Sequence, residues 1–233
     1  MSSIRPVRVE RNFTKHSAGS VLYRSGETAV LCTASIDSKL PPWLEGSGKG
    51  WITAEYNMLP GSTQGRKPRD RGGKVDGRTT EIQRLIGRSL RAVADLKKLG
   101  ERLITVDCDV LQADGGTRTA SIAGGFIALV DALQSLGFSG GDLYPLTDSL
   151  AAISVGVVGG QPTLDLDYEA DFAATVDMNV VMTGRGQFVE IQGTGEESTF
   201  SESELIQLIS LGKQGISEVT AVQKESLGTS WRF

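Results

Sequence analysis

Histidine is almost absent from this 233-residue chain: His16 is the only one. That scarcity argues against a Ser-His-Asp triad and excludes any metal site built from several histidines. His16 lies in the polar stretch Lys15-His16-Ser17 and reads as a structural or solvated turn residue. Cysteine is nearly as scarce. Cys32 and Cys108 sit in the apolar, strand-like contexts VLCTA and VDCDV, which suit buried free thiols in a reducing cytosol better than a disulfide or metal pair. No apolar run approaches the roughly 18–20 residues of a membrane span. The opening stretch MSSIRPVRVERNF carries three arginines and a glutamate where a signal peptide needs unbroken apolar residues. Neither a Pro-rich or Ser-rich linker nor a fixed-period repeat divides the chain. A single cytoplasmic domain spanning residues 1–233, with no membrane partner, is the expectation.

What is present suits a globular protein: 39% hydrophobic and 22% charged residues, with 29 glycines. The net charge of −4 conceals a strong asymmetry. Arg66–Arg102 holds twelve basic against five acidic residues, net +7, whereas Ser139 to the C-terminus holds four basic against fourteen acidic, net −10. A basic helix meeting an acidic partner subunit would explain this. So would a polyanion on the basic segment with a metal on part of the acidic one.

The pattern predicts strands over Ser20–Tyr23, Thr28–Thr33 and Trp51–Tyr56. Gly46–Gly50 lacks P-loop spacing, and Lys49 is followed by glycine. Residues 60–77, rich in glycine, lysine and arginine, read as a basic mobile loop. Thr80 and Gln83 stand at capping-box spacing for a helix that Gly100 would end, with Lys97 and Lys98 in its last turn. Leu103–Leu111 alternates as a strand, and Asp114–Arg118 turns into a helix running to about Leu136. Ala151–Val158 with Pro162–Tyr168, and Val176–Thr183 with Gln187–Gly193, read as hairpins. Ser201 and Glu204 cap a last helix to about Gln223. Strands and helices come in blocks, which is the signature of an α+β fold with helices packed on mixed sheets.

Three constellations could carry chemistry. In QADGGTRTASI (Gln112–Ile122) a strand ends, two glycines turn, and a helix starts beside Arg118. Free helix-start N–H groups and a guanidinium attract an anion, although a tight turn whose arginine pairs with an acid such as Asp114 has the same sequence. At Gly77-Arg78-Thr79 a second arginine stands at a second helix start. In EADFAATVDMN, Asp177 lies on the polar side of a strand and Asp171 in the preceding connection. Two carboxylates with room for water can hold Mg²⁺; Asp165, Asp167 and Glu169, at spacing two, compete as ligands, and unrelated surface acids are the plainer alternative.

Four segments carry a resemblance: GWITAEYNMLP (Gly50–Pro60), GRTTEIQRLIGRSLRAV (Gly77–Val93), DCDVLQADGGTRTASI (Asp107–Ile122) and DMNVVMT (Asp177–Thr183). With these, nearly the whole chain resembles the ribonuclease PH family of phosphorolytic exoribonucleases. The resemblance implies a ribosomal protein S5 domain 2-like α+β fold and a homohexamer, a trimer of dimers. It implies phosphate binding by Arg78, Gly116, Thr117 and Arg118, and catalysis with a Mg²⁺ or Mn²⁺ ion at Asp171 and Asp177. It also implies contacts to RNA, tRNA precursors above all, from the basic loop, at Arg66 and Arg69; Lys67 and Arg71 extend the same basic run. Two departures stand out: a usual N-terminal segment with an RxDGR-like motif is missing, and Gly61 stands where many relatives have arginine.

The implied reaction has inorganic phosphate, as co-substrate, attack the terminal phosphodiester at an RNA 3′ end, so that tRNA 3′ ends are trimmed and nucleoside 5′-diphosphates leave. Because a diphosphate conserves bond energy, reverse nucleotide addition is expected too. Asp177 or a water on the metal would protonate the leaving 3′ oxygen. Such a reaction needs no histidine. The alternative is a non-catalytic ring subunit that only binds RNA.

Overall fold

The computed structural model describes residues 3–69, 76–196 and 198–233. Strands β1 (Val7–Arg11), β2 (Gly19–Ser25), β3 (Thr28–Asp37), β4 (Trp51–Met58) and β5 (Leu103–Gln112) form one sheet in the order β1-β2-β3-β5-β4. Neighbours run antiparallel except β4 and β5, which are parallel because α1 (Gly77–Ala92) and α2 (Leu96–Leu99) carry the chain back between them. Helix α3 (Thr117–Ser135) follows β5 and leads to a second sheet. There β6 (Leu150–Val158), β7 (Gln161–Leu164), β8 (Ala174–Thr183) and β9 (Phe188–Gly195) pair antiparallel in the order β7-β6-β8-β9. The short α4 (Tyr168–Ala173) links β7 to β8, and α5 (Glu202–Leu227) closes the chain. This is the α+β arrangement expected from the blocks of strand and helix patterning.

Alternation places the core. In β5, Ile104, Val106, Cys108 and Val110 are buried while Asp109 on the opposite face is exposed. In α1, Ile82, Leu85, Ile86 and Leu90 form the buried stripe that packs on β4. Helix α3 is apolar nearly all round because it touches β2, β3 and β5 of the first sheet and β6 of the second. A Cβ on Gly19 would sit 1.9 Å from the Ala128 carbonyl oxygen, so only glycine lets β2 approach α3 this closely. One contiguous cluster of buried side chains therefore runs through both sheets. Cys32 and Cys108 are free and buried, directly opposite each other across β3 and β5. His16 is exposed in a bend.

Several sequence readings need correction. The first long helix is capped by Asp76, whose Oδ1 accepts from Thr79 N at 2.6 Å, and not by Thr80 with Gln83. Aspartate is a strong N-cap, and the helix extends back to Gly77 once it is used. Gln83 instead accepts from Tyr56 N through its Oε1. The helix also stops earlier than Gly100. Val93 and Asp95 divert their backbone groups to the 145–147 segment (Thr147 N to Val93 O, 2.8 Å; Asp95 N to Pro145 O, 2.7 Å), and Asp95 then caps the separate α2 that Gly100 ends. Strand Pro162–Tyr168 is shorter than expected, since Asp165 adopts φ 56° and the chain enters α4 at Tyr168. The capping box of Ser201 and Glu204 on α5 is present as read.

Candidate active site

Where β4 and β5 end against the second sheet, a cleft of about 950 Å³ opens. Four separated segments bring their candidate residues to it: Arg78 from α1, Gly116, Thr117 and Arg118 from the start of α3, Asp171 from α4, and Asp177 from β8. Lys67 lines the same cleft. Arg66 and Arg69 are exposed on the loop and are not among its lining residues. Arg71 lies outside the described residues.

The glycine turn is built to expose backbone. Gly115 and Gly116 hold φ of 74° and 65°, and a Cβ on Gly115 would meet the Leu166 carbonyl oxygen at 2.4 Å. Gly116 is the N-cap of α3 and brings no side-chain cap, so the first N–H groups of that helix are not spent on one. The turn is pinned from behind. Thr28 Oγ1 donates to Gly115 O at 2.7 Å and accepts from Asp114 N, while Arg5 Nη1 donates to Asp114 O. Arg5 is itself held by the buried Asp165 carboxylate through its backbone N–H, Nε and Nη2. Tyr56, from β4, donates its hydroxyl to Thr117 Oγ1 at 2.9 Å.

Arg118 does not pair with Asp114. Its Nη2 donates to Glu81 Oε2 at 2.8 Å, and Gln192 from β9 supports Glu81 through Oε1. Burial pushes the Glu81 carboxyl up, but the Arg118 hydrogen bond and charge outweigh it and hold it below the usual range. The Arg118 Nε–H is buried with no partner among the described residues. A partly buried guanidinium with an unmet donor suits an anionic ligand.

Opposite lie the two aspartates. Burial raises Asp171; the Arg78 and Arg118 charges pull it back, and Glu196 adds to the rise. Asp177 is pushed up to about 6, first by burial, then by the charge of Asp171, with Glu196 adding and both arginines opposing. Both arginines thus act on both acids, as expected of groups that face one another across a single cleft. The three rival acids are engaged elsewhere or turned away. Asp165 binds Arg5, Asp167 caps α4 by accepting from Ala170 N, and Glu169 is exposed. Two converging carboxylates with open cleft beside them fit a divalent cation that keeps part of its water.

Sequence reasoning missed Glu81, Gln192, Asp76 and the aromatic pair Tyr168 and Phe172, all of which touch this site or its supports. Asp76, held down to about 2 by the Thr79 N–H and by Lys67, ties that lysine to the start of α1 at 2.9 Å. Aspartate just ahead of Gly77 was the available signal for that cap.

Residues 3–133 match the model of the 3′ exoribonuclease family, domain 1, and residues 148–215 match its domain 2. A protein named ribonuclease PH from Rhodopirellula baltica is 64% identical, with 97% of this chain and 94% of that protein covered. One of the same name from Listeria innocua is 57% identical over 97% of this chain and 93% of its own. Among solved structures, rice (Oryza sativa) Rrp46 superposes with a TM-score of 0.78 at 20% identity, covering 97% of this chain and 96% of that one. The Archaeoglobus fulgidus exosome with RNA bound to the active site gives 0.78 at 20% identity, covering 97% and 89%. These two show a shared fold. From the family match and the close relatives together, the chain belongs to the ribonuclease PH family of 3′ exoribonucleases.

Proposed function

We propose that the cleft performs phosphorolysis of RNA 3′ ends. The observation that carries this reading is the convergence of Arg78, Gly116–Arg118, Asp171 and Asp177 from four segments on one cavity. The barrier to the reaction is the approach of one anion to another. Arg78, Arg118 and the backbone N–H groups at the start of α3 neutralise inorganic phosphate and aim it, so a competent nucleophile is placed in line without a strong base. A phosphate oxygen bonds to the terminal phosphorus, the bond to the preceding 3′ oxygen breaks, and a nucleoside 5′-diphosphate leaves. Asp171 and Asp177 are the residues that would hold Mg²⁺ or Mn²⁺. When bound, that ion supplies positive charge at the scissile phosphoryl group.

The same site runs in reverse, adding nucleotides from diphosphates when phosphate is scarce. The natural substrates are tRNA precursors, gripped by Arg66 and Arg69, with Lys67 and Arg71 in the same basic run of sequence, and rRNA ends are also within reach of the chemistry. The working form is a cytoplasmic homohexamer, a trimer of dimers, as the family resemblance implies. No helix among the described residues is long and apolar enough to cross a membrane. The alternative of a subunit that only binds RNA has no use for two arginines and two carboxylates gathered around one cleft.

The test is to incubate the protein with a 3′-extended tRNA and Mg²⁺, with and without phosphate. Nucleoside diphosphates that appear only with phosphate support the reading. Monophosphates released without phosphate would replace it with hydrolysis, and no release at all would favour the binding subunit.

A further inference from the structure

The cleft is lined mostly by charged and polar groups, yet α4 presents two aromatic rings to it. Tyr168 and Phe172 both line the cavity, and they stand four residues apart on the same helix face. Phe172 is 83% exposed and Tyr168 50%. Their rings lie near-parallel, 25° apart with centroids separated by 6.4 Å. Neither belongs to the buried core cluster or to the residues packed against it, so the fold gains little from them. The helix that carries them is fixed at the site: Asp167 caps it, and Asp114 Oδ1, beside the glycine turn, accepts from Tyr168 N. Asp171 lies on the same turn, between the two rings in sequence.

We infer that Tyr168 and Phe172 form a stacking platform for a nucleobase flanking the scissile phosphodiester. This deepens the phosphorolysis reading and rests on it. Inorganic phosphate alone has no surface that two apolar rings would recognise, whereas every nucleobase has a π-face, and stacking tolerates any sequence. The arginines hold phosphate, and the carboxylates, with the divalent ion they would hold, face the scissile group. The rings, three residues before Asp171 and one after it, then fix the attached nucleoside, so the strand enters with its terminal linkage in register. A second protein surface could also cover exposed rings. Their place inside a cleft lined by Arg78 and Arg118 favours a polyanion that carries flat bases.

The test couples the rings to the base. The full-length protein, Tyr168→Leu/Phe172→Leu and Phe172→Trp are compared on a short single-stranded RNA and on the same RNA made abasic at its last or penultimate nucleotide. Kd is read by fluorescence anisotropy, KM by diphosphate release, and assembly mass by light scattering. The unaltered protein should bind one of the abasic RNAs about tenfold more weakly. The double leucine variant should bind intact RNA about tenfold more weakly and lose that sensitivity to the missing base, while Phe172→Trp keeps it. An equal abasic penalty in all three proteins would overturn the platform. A changed assembly mass with unchanged RNA affinity would overturn it too, marking the rings as a protein contact. If the unaltered protein releases no diphosphate, the phosphorolysis reading fails, and the anisotropy coupling still decides the platform.

Discussion

Arg118 Nη2 donates a 2.8 Å hydrogen bond to Glu81 Oε2, tying the first turn of α3 to α1. The two residues are 37 positions apart in sequence, and Gln192, 111 positions from Glu81, completes the chain of contacts. Glu81 thereby fixes the guanidinium whose other donors are proposed to meet phosphate.

Glu81→Ala should therefore lower kcat/KM for phosphate by about tenfold, as expected when a charge-assisted hydrogen bond that orients a binding group is lost. Glu81→Gln retains an acceptor and should recover most of that loss. Arg118→Ala should cost more, roughly 10²–10³ in rate, because the donor itself is gone. Steady-state rates at varied phosphate check all three.

Arg5 and Asp165 form the buried pair behind the glycine turn, with Asp165 only 4% exposed. Arg5→Ala strands that carboxylate and should destabilise the protein by about 3–5 kcal/mol. The melting temperature should fall on the order of 10 °C. Asp165→Asn placed on top should recover part of the loss, because it removes the stranded charge.

How far these features could be read in advance depended on how local they are. The turn QADGGTRTASI and the Ser201–Glu204 capping box are written in consecutive residues, and both stand as read. The alternation around Asp177 likewise placed it on the polar side of β8. Glu81 and Gln192 were not legible, because nothing near either residue says that α1 and β9 meet at Arg118. Arg5 was equally silent, since its partner lies 160 residues away. Helix α4 is too short, at six residues, to show a helical period, so Asp171 read as a connection and its aromatic neighbours went unremarked.

On the outer face of the first sheet, Glu55 of β4 sits opposite Asp107 of β5. Burial, then the charges of Glu55 and Asp109, push Asp107 up to about 6. A carboxyl raised in the fold costs stability once it ionises: nothing below its unfolded pKa of about 3.9, and the full amount above about 6. Asp107→Asn should thus stabilise the protein at pH 8 by about 1 kcal/mol after allowance for solvent screening, or 2–4 °C in melting temperature. The gain should vanish below pH 4. Melting curves of both proteins across that range check the sign.

Arg66 and Arg69 are exposed on the loop, away from the cleft lining. Their joint replacement by alanine should weaken tRNA binding and reduce the slope of log K against log salt by about 2, one unit for each lost phosphate contact. Phosphorolysis of a short oligonucleotide should persist. Titrations at several salt concentrations, alongside oligonucleotide turnover, separate the two roles.

Guanidinium groups from two helix starts are proposed to share one inorganic phosphate across from a pair of aspartates. A crystal structure of the protein grown with phosphate measures this directly. A single ion is expected within hydrogen-bonding distance of both Arg78 and Arg118 and of the N–H groups at the start of α3, in the cleft that Asp171 and Asp177 line. Two ions at separate places, or a cleft in which residues 78 and 118 share none, would contradict it.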